Sequence, residues 1–190
     1  MSKYDKLINY FEEDEISKYL INGERVYYQT KPKKNAFILN QCVTMLPIAL
    51  IWIGFDSTII FSFLSTGSFF SMAWFIIPFF ALHLMPVWIW LKNVLTSAKN
   101  WENTLYVFTD TRLLIQSGIH FNHQSIQYNK IRNVEIKTGT LDHLLNVQDI
   151  ILQVTGKKEI ALLDLENADE VYTLLIRIVE NNEKIEDLIR

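Results

Sequence analysis

One cysteine, Cys42, occurs in 190 residues, so no intramolecular disulfide can form and no cysteine-based metal motif exists. Lysine and arginine are missing from Asn35 to Leu91, and the single acidic residue there is Asp56. That gap argues against one soluble domain, which would spread its apolar residues among charged ones along the chain. There is no HExxH, no glycine-rich phosphate loop and no evident Ser-His-acid set, so the sequence offers no catalytic constellation. His120 and His123 lie three apart in an expected strand, on opposite faces where they cannot share a metal, and His143 stands alone in a short LDHLL turn. No catalytic residue, cofactor or metal site is therefore expected. No internal repeat or low-complexity tract occurs either.

What fills the gap in charge is hydrophobic sequence of membrane length. An α-helix rises about 1.5 Å per residue and needs roughly 20 apolar residues to cross ~30 Å of hydrocarbon. AFILNQCVTMLPIALIWIGF (36–55) and SMAWFIIPFFALHLMPVWIWL (71–91) both meet that length, and DSTIIFSFLSTGSFF between them supplies turn-forming residues. A two-helix transmembrane hairpin over 36–95 is expected, integral to the bilayer. Lys31, Lys33 and Lys34 precede it, Lys92 and Lys99 follow it, and the intervening loop has no basic residue, which places both termini on the cytoplasmic side. Trp88, Trp90 and Trp101 fit an aromatic belt at that face. The first helix starts too late for a cleaved signal peptide and is expected to stay as an anchor. Cys42 within it reads as a small apolar position, with palmitoylation or redox activity as the other reading.

Residues 1–35 form a cytoplasmic leader. Leu7, Ile8, Phe11, Ile16, Tyr19 and Leu20 have the spacing of one or two short amphipathic helices over 3–21, and a strand leading toward the membrane follows the Asn22-Gly23 turn. From Asn103 the period changes to that of strands: NTLYVF, RLLIQSG, HQSIQY, IRNVEIKTG, DIILQVTG and KEIALLDL predict six or seven of them. Asn167 and Glu170 resemble a capping box opening a helix whose Val171, Leu174, Leu175 and Ile178 form one apolar stripe. The fold class is α+β, a helix closing a small antiparallel barrel over 101–185.

Four pieces of the chain, LINGERVYYQTKP, YVFTDTRLLIQSG, SIQYNKIRNVEIKTGTLDHLLNVQDIILQVTG and ENADEVYTLLIRIV, resemble in order and spacing the membrane-anchored bacterial PH-like domain proteins of the YdbS type. The resemblance implies a PH-like fold, a strongly bent seven-stranded antiparallel barrel plugged by a C-terminal helix. It supplies no catalytic residues.

Four residues of the expected domain are candidate interaction or structural positions: Asp110, Arg112, Lys130 and Arg132. Thr109-Asp110-Thr111-Arg112 has hairpin-turn chemistry; the functional alternative is Arg112 paired with Asp110 or gripping an acidic headgroup. Lys130, Arg132, Lys137, Lys157 and Lys158 form the only local basic groupings, readable as solvated charge or as a membrane-facing side. Residues 101–190 carry nine Lys and Arg against fourteen Asp and Glu, a net of −5. Phosphoinositide recognition and nucleic-acid binding both need more positive charge.

In the apolar region His83, between Pro78 and Pro86, and Asn40 and Gln41 in the first helix are candidate intramembrane polar residues. They read either as a satisfied helix-helix interface or as part of a proton or ligand path. The expected function is a non-catalytic protein-interaction platform on the cytoplasmic face of a bacterial plasma or inner membrane, with a protein partner that includes a second copy of itself as an option. The alternative is a small oligomeric transport or envelope-defence component using the intramembrane polar residues.

Overall fold

The computed structural model describes residues 18–67, 69–119, 122–180 and 185–188. The amphipathic helices expected over 3–21 lie almost wholly outside these residues, and so does His120.

Alternation begins at β1 (Val26–Thr30), which pairs antiparallel with β2 (Leu105–Thr109) although the whole apolar region separates them in the chain. β2 continues to β3 (Arg112–Ser117) and β3 to β4 (Asn122–Gln127), giving a four-stranded sheet in the order β1-β2-β3-β4. A 3-10 turn at Tyr128–Lys130 leads into a second antiparallel sheet of β5 (Ile131–Lys137), β6 (Gln148–Val154) and β7 (Ile160–Leu165). Seven strands and a C-terminal helix agree with the expected count, arranged as sheets of four and three. The domain boundary moves: a domain begun at residue 101 lacks its first strand, because Val26–Thr30 from the leader supplies it.

Every residue of β2 is buried, so both faces of this strand are covered. Tyr106 and Phe108 point into the main core with Leu113, Ile150, Leu152, Leu162 and Leu165. Leu105 and Val107 point the other way, under Leu20, Val26 and Leu114. Period-2 geometry makes this division obligatory once β1 and β3 flank the strand. Truncating the fully buried Phe108 to Ala should cost about 3–5 kcal/mol. The long helix that follows β7, here Ala168–Glu180, lays Val171, Leu175 and Ile178 into the same core. Asn167, just before it, hydrogen-bonds Tyr28 Oη and accepts from Thr30 Oγ1 at 3.2 Å, tying the helix start to β1. The LDHLL stretch is a short helix, Thr140–Leu145, ended by Asn146 in the left-handed region at φ 57°.

The apolar region forms a separate helical unit spanning Ile38–Ala98. In chain order its helices are α1 (Lys34–Thr44), α2 (Leu46–Ser65), α3 (Phe69–His83) and α4 (Met85–Glu102), which makes Thr140–Leu145 α5, Ala168–Glu180 α6 and Ile185–Leu188 α7. Two expectations are corrected. The loop predicted from Asp56 to Phe70 is helical to Ser65, with turn residues at Thr66 and Gly67. The polar side chains there do not break the helix because their hydroxyls donate back to its own carbonyls: Ser57 to Ile53 O, Thr58 to Phe55 O and Ser65 to Phe61 O. The segment expected as one helix over 71–91 is α3 and α4, bent by 54°. Pro86 has no N–H, and the Val87 N–H turns instead to Leu84 O at 2.9 Å. Among the described residues, Lys34–Ser65 is the one helix long and apolar enough to cross a membrane, and the bent pair adds a second only when counted as one span.

Candidate functional sites

The Thr109-Asp110-Thr111-Arg112 turn is built around a residue that lies far away in sequence. The Thr109 hydroxyl accepts from the N–H groups of Thr111 (3.3 Å) and Arg112 (3.1 Å) and donates to Glu24 Oε1 at 2.7 Å. Arg112 grips the Glu24 carboxylate with both arms, Nε to Oε1 and Nη2 to Oε2, each at 2.7 Å. Glu24 Oε2 also accepts the Ile21 N–H, and Oε1 the Thr111 hydroxyl. The Glu24 side chain is only 2% exposed. The Arg112 guanidinium, helped by these other donors and opposed by burial, brings the Glu24 carboxyl down to about 2. Glu24 in turn raises the Arg112 pKa.

Arg112 therefore pairs with Glu24 and not with Asp110. Its Nη2 donates to Tyr19 O at 2.9 Å and its Nη1 to Ser125 Oγ at 3.2 Å, so one guanidinium connects the leader, the turn and β4. Asp110 Oδ1 accepts the Arg25 N–H at 3.3 Å, and its own N–H donates to Arg25 O. Behind the turn, the buried Tyr128 hydroxyl donates to Thr109 O at 2.9 Å, and burial raises its pKa. Glu24 was missed in the sequence reading as a partner; its place directly after the Asn22-Gly23 turn was the available signal.

Lys130 and Arg132 are exposed at the start of β5, where Arg132 Nε donates to Thr155 Oγ1 at 2.8 Å. The lysines before α1 are partly committed to the β-domain. Lys33 donates to Leu145 O and pairs with Glu166 at 3.0 Å; Lys31 donates to Glu102 O. Lys31 and Lys34 both lie 4.9 Å from the centroid of Trp101, whose indole donates to Pro32 O at 2.8 Å. Burial lowers the Lys31 pKa, opposed by Glu102.

Within the helical unit His83 finds an unforeseen partner. His83 Nδ1 lies 2.9 Å from Asp56 Oδ1, joining α3 to α2, while Asn40 and Gln41 are half-buried on α1. The signal was the lone acid in an apolar stretch. Indole groups serve the two helix breaks reciprocally. Trp52 on α2 donates to His83 O, next to the break preceding Pro86; Trp90 on α4 donates to Cys42 O, next to the break preceding Pro47. Trp88 donates to Ala81 O. Proline-interrupted helices leave carbonyls without donors, and these side chains supply them. Among the described residues no group of three or more His, Cys, Asp or Glu is arranged to hold a metal ion.

Two antiparallel sheets with a C-terminal helix in their core define a PH-like α+β protein. The bacterial PH domain family model matches residues 35–179, and the chain belongs to that family. Among solved structures, the chain is similar to a DUF1696 family protein with a pleckstrin-homology domain from Shewanella loihica PV-4, at 17% identity and a TM-score of 0.34. That alignment covers 40% of this chain and 70% of the other. A pleckstrin homology domain from Shewanella amazonensis SB2B aligns at 21% identity and a TM-score of 0.33, covering 40% of this chain and 66% of the other. No curated protein matches.

Proposed function

We propose that this protein is a membrane-anchored member of the family, of the YdbS type, that acts as a non-catalytic interaction platform on the cytoplasmic face of a bacterial membrane. The observation that carries the anchoring is uncovered apolar surface on α2 and α3, which hold no lysine or arginine and whose one acidic residue, Asp56, is buried. Phe61, Phe70, Trp74 and Leu82 are each more than 70% exposed, and Leu50, Ile51, Phe55 and Ile77 more than half. Covering each such side chain is worth about 1.5–3 kcal/mol, so these eight alone leave on the order of 10–20 kcal/mol for lipid or protein to satisfy. The absence of lysine and arginine between the spans, against exposed Lys92 and Lys99 after them, supports cytoplasmic termini.

For the platform, the support is the edge of the four-stranded sheet. β4 is the last strand in its order, its sequence NHQSIQ has no proline or charge to blunt the edge, and five of its six residues are exposed. An extended segment of a partner would add there by main-chain pairing. A photocrosslinker at Gln124 in native membranes should trap one defined protein, this chain included, while the same group at Lys157 in the β6–β7 turn should not. Equal or absent capture from the two positions would count against the platform. A second reading, an oligomeric transport or envelope-defence component, draws support from the buried Asp56–His83 contact. His83→Leu should leave Gln124 capture intact if the platform reading holds; loss of function with unchanged capture favours the second.

A further inference from the structure

Asp56 is 2% exposed and lies among apolar helices, yet only one of its carboxyl oxygens is used. Oδ1 faces His83 Nδ1 at 2.9 Å; Oδ2 is buried with no hydrogen-bond partner among the described residues. An ionised carboxylate with a bare buried oxygen is costly, and costlier in a bilayer. A neutral acid changes that balance. With a proton on Oδ1 donating to Nδ1, the bare Oδ2 becomes a carbonyl oxygen, which is far cheaper to leave without a donor. No other acidic side chain lies in the helical unit Ile38–Ala98, whose further titratable groups are Cys42 on α1 and Lys92 on α4. The neighbours of the His83 ring are Trp52, Phe55 and Phe79, with Phe79 stacked at 5.3 Å.

We propose that Asp56 and His83 form a proton-binding site inside the apolar helices, with His83 as its port and Asp56 as its buried store. The His83 side chain is 32% exposed against 2% for Asp56, so the imidazole is the member of the pair that reaches the surface of the helical unit. The step balances with one proton and no electrons. Starting from the carboxylate and an imidazole protonated on Nδ1, a solvent proton binds Nε2, and the Nδ1 proton passes to Oδ1. The products are a neutral acid and a neutral imidazole carrying its hydrogen on Nε2, with net charge raised from −1 to zero. The Trp52 indole, bonded at 2.8 Å to the His83 carbonyl, holds the port residue's backbone while its ring changes state.

This inference rests on the membrane reading, which a separate measurement isolates: carbonate washing of native membranes should leave the protein bound. Release would refute the membrane reading without touching the infrared result. For the site itself, the full-length chain in phosphatidylcholine nanodiscs is examined by infrared difference spectroscopy. At neutral pH the expected result is a carboxylic-acid C=O band of an apolar environment that disappears in Asp56→Asn. Its exchange into deuterated water should slow by at least about tenfold in His83→Leu, because the proton then lacks its relay. His83→Gln, which keeps a polar side chain, gives the same comparison should the Leu variant not fold. Absence of the band in the unmodified protein at neutral pH would overturn the proposal, leaving a plain ion pair. So would an exchange rate unchanged by replacement of His83.

Discussion

Replacing Glu24 with Gln keeps the side chain's size and removes the charge that Arg112 holds with two 2.7 Å bonds. The Glu24 carboxyl titrates near 2 in the folded protein against an ordinary 4.5, and linkage converts that difference to about 3 kcal/mol of stability at neutral pH. Removing one partner of a buried pair costs about 3–5 kcal/mol, and because Gln keeps an acceptor the lower end applies. The carboxyl's pKa is depressed on folding, so its contribution is fully present above the unfolded value and fades as pH falls through the folded one. The gap between the two proteins should therefore be about 3 kcal/mol at pH 7, shrink below pH ~4.5, and nearly close by pH ~2. Amide hydrogen exchange of β2 and β3 in the full chain, held in nanodiscs, reads that gap. A difference under about 1 kcal/mol at pH 7 would place the pair among ordinary surface bridges and refute the reasoning. A difference that stays constant between pH ~7 and ~3 would refute the linkage.

Three further outcomes are expected. Tyr128→Phe removes the buried donor to Thr109 O and should cost about 1–3 kcal/mol in the same exchange measurement. Asn146→Val forces a β-branched residue to φ 57° and should destabilise by about 1–2 kcal/mol by thermal unfolding, whereas Asn146→Gly should be close to neutral. Trp90→Phe leaves the Cys42 carbonyl without its indole donor, and should speed exchange of the amides around Met45 while leaving β-domain exchange unchanged.

Much of the β-domain was legible because its signals are local. Strand alternation, the Asn-Gly and Thr-Asp turns and the α6 stripe each sit within a few residues, and they appear in the structure at the expected places. The helical unit was less legible for the same reason. Ser57, Thr58 and Ser65 are turn formers on local propensity, but in an apolar helix their hydroxyls bond their own backbone and the helix continues. Pro86 announced a disturbance in the second segment without stating its size; the 54° bend depends on which carbonyls find other donors. At the turn, Asp110 was the obvious partner for Arg112 by proximity. The structure uses Glu24, because strand pairing carries the leader to the same edge.

Taken alone, the sequence determined that this chain has an apolar region with a single acidic residue and an antiparallel β-domain closed by an amphipathic helix, since periodicity and composition decide both. Tertiary structure alone decided that the strand before the apolar helices pairs with β2 as the first of the β-domain, that Glu24 meets Arg112, and that Asp56 meets His83. These are contacts between residues 76, 88 and 27 positions apart, Thr30 with Tyr106 standing for the first. No local preference encodes such pairings. They form because closing a sheet and packing helices bury apolar area that the separate pieces cannot bury, and the polar groups carried along must then find one another.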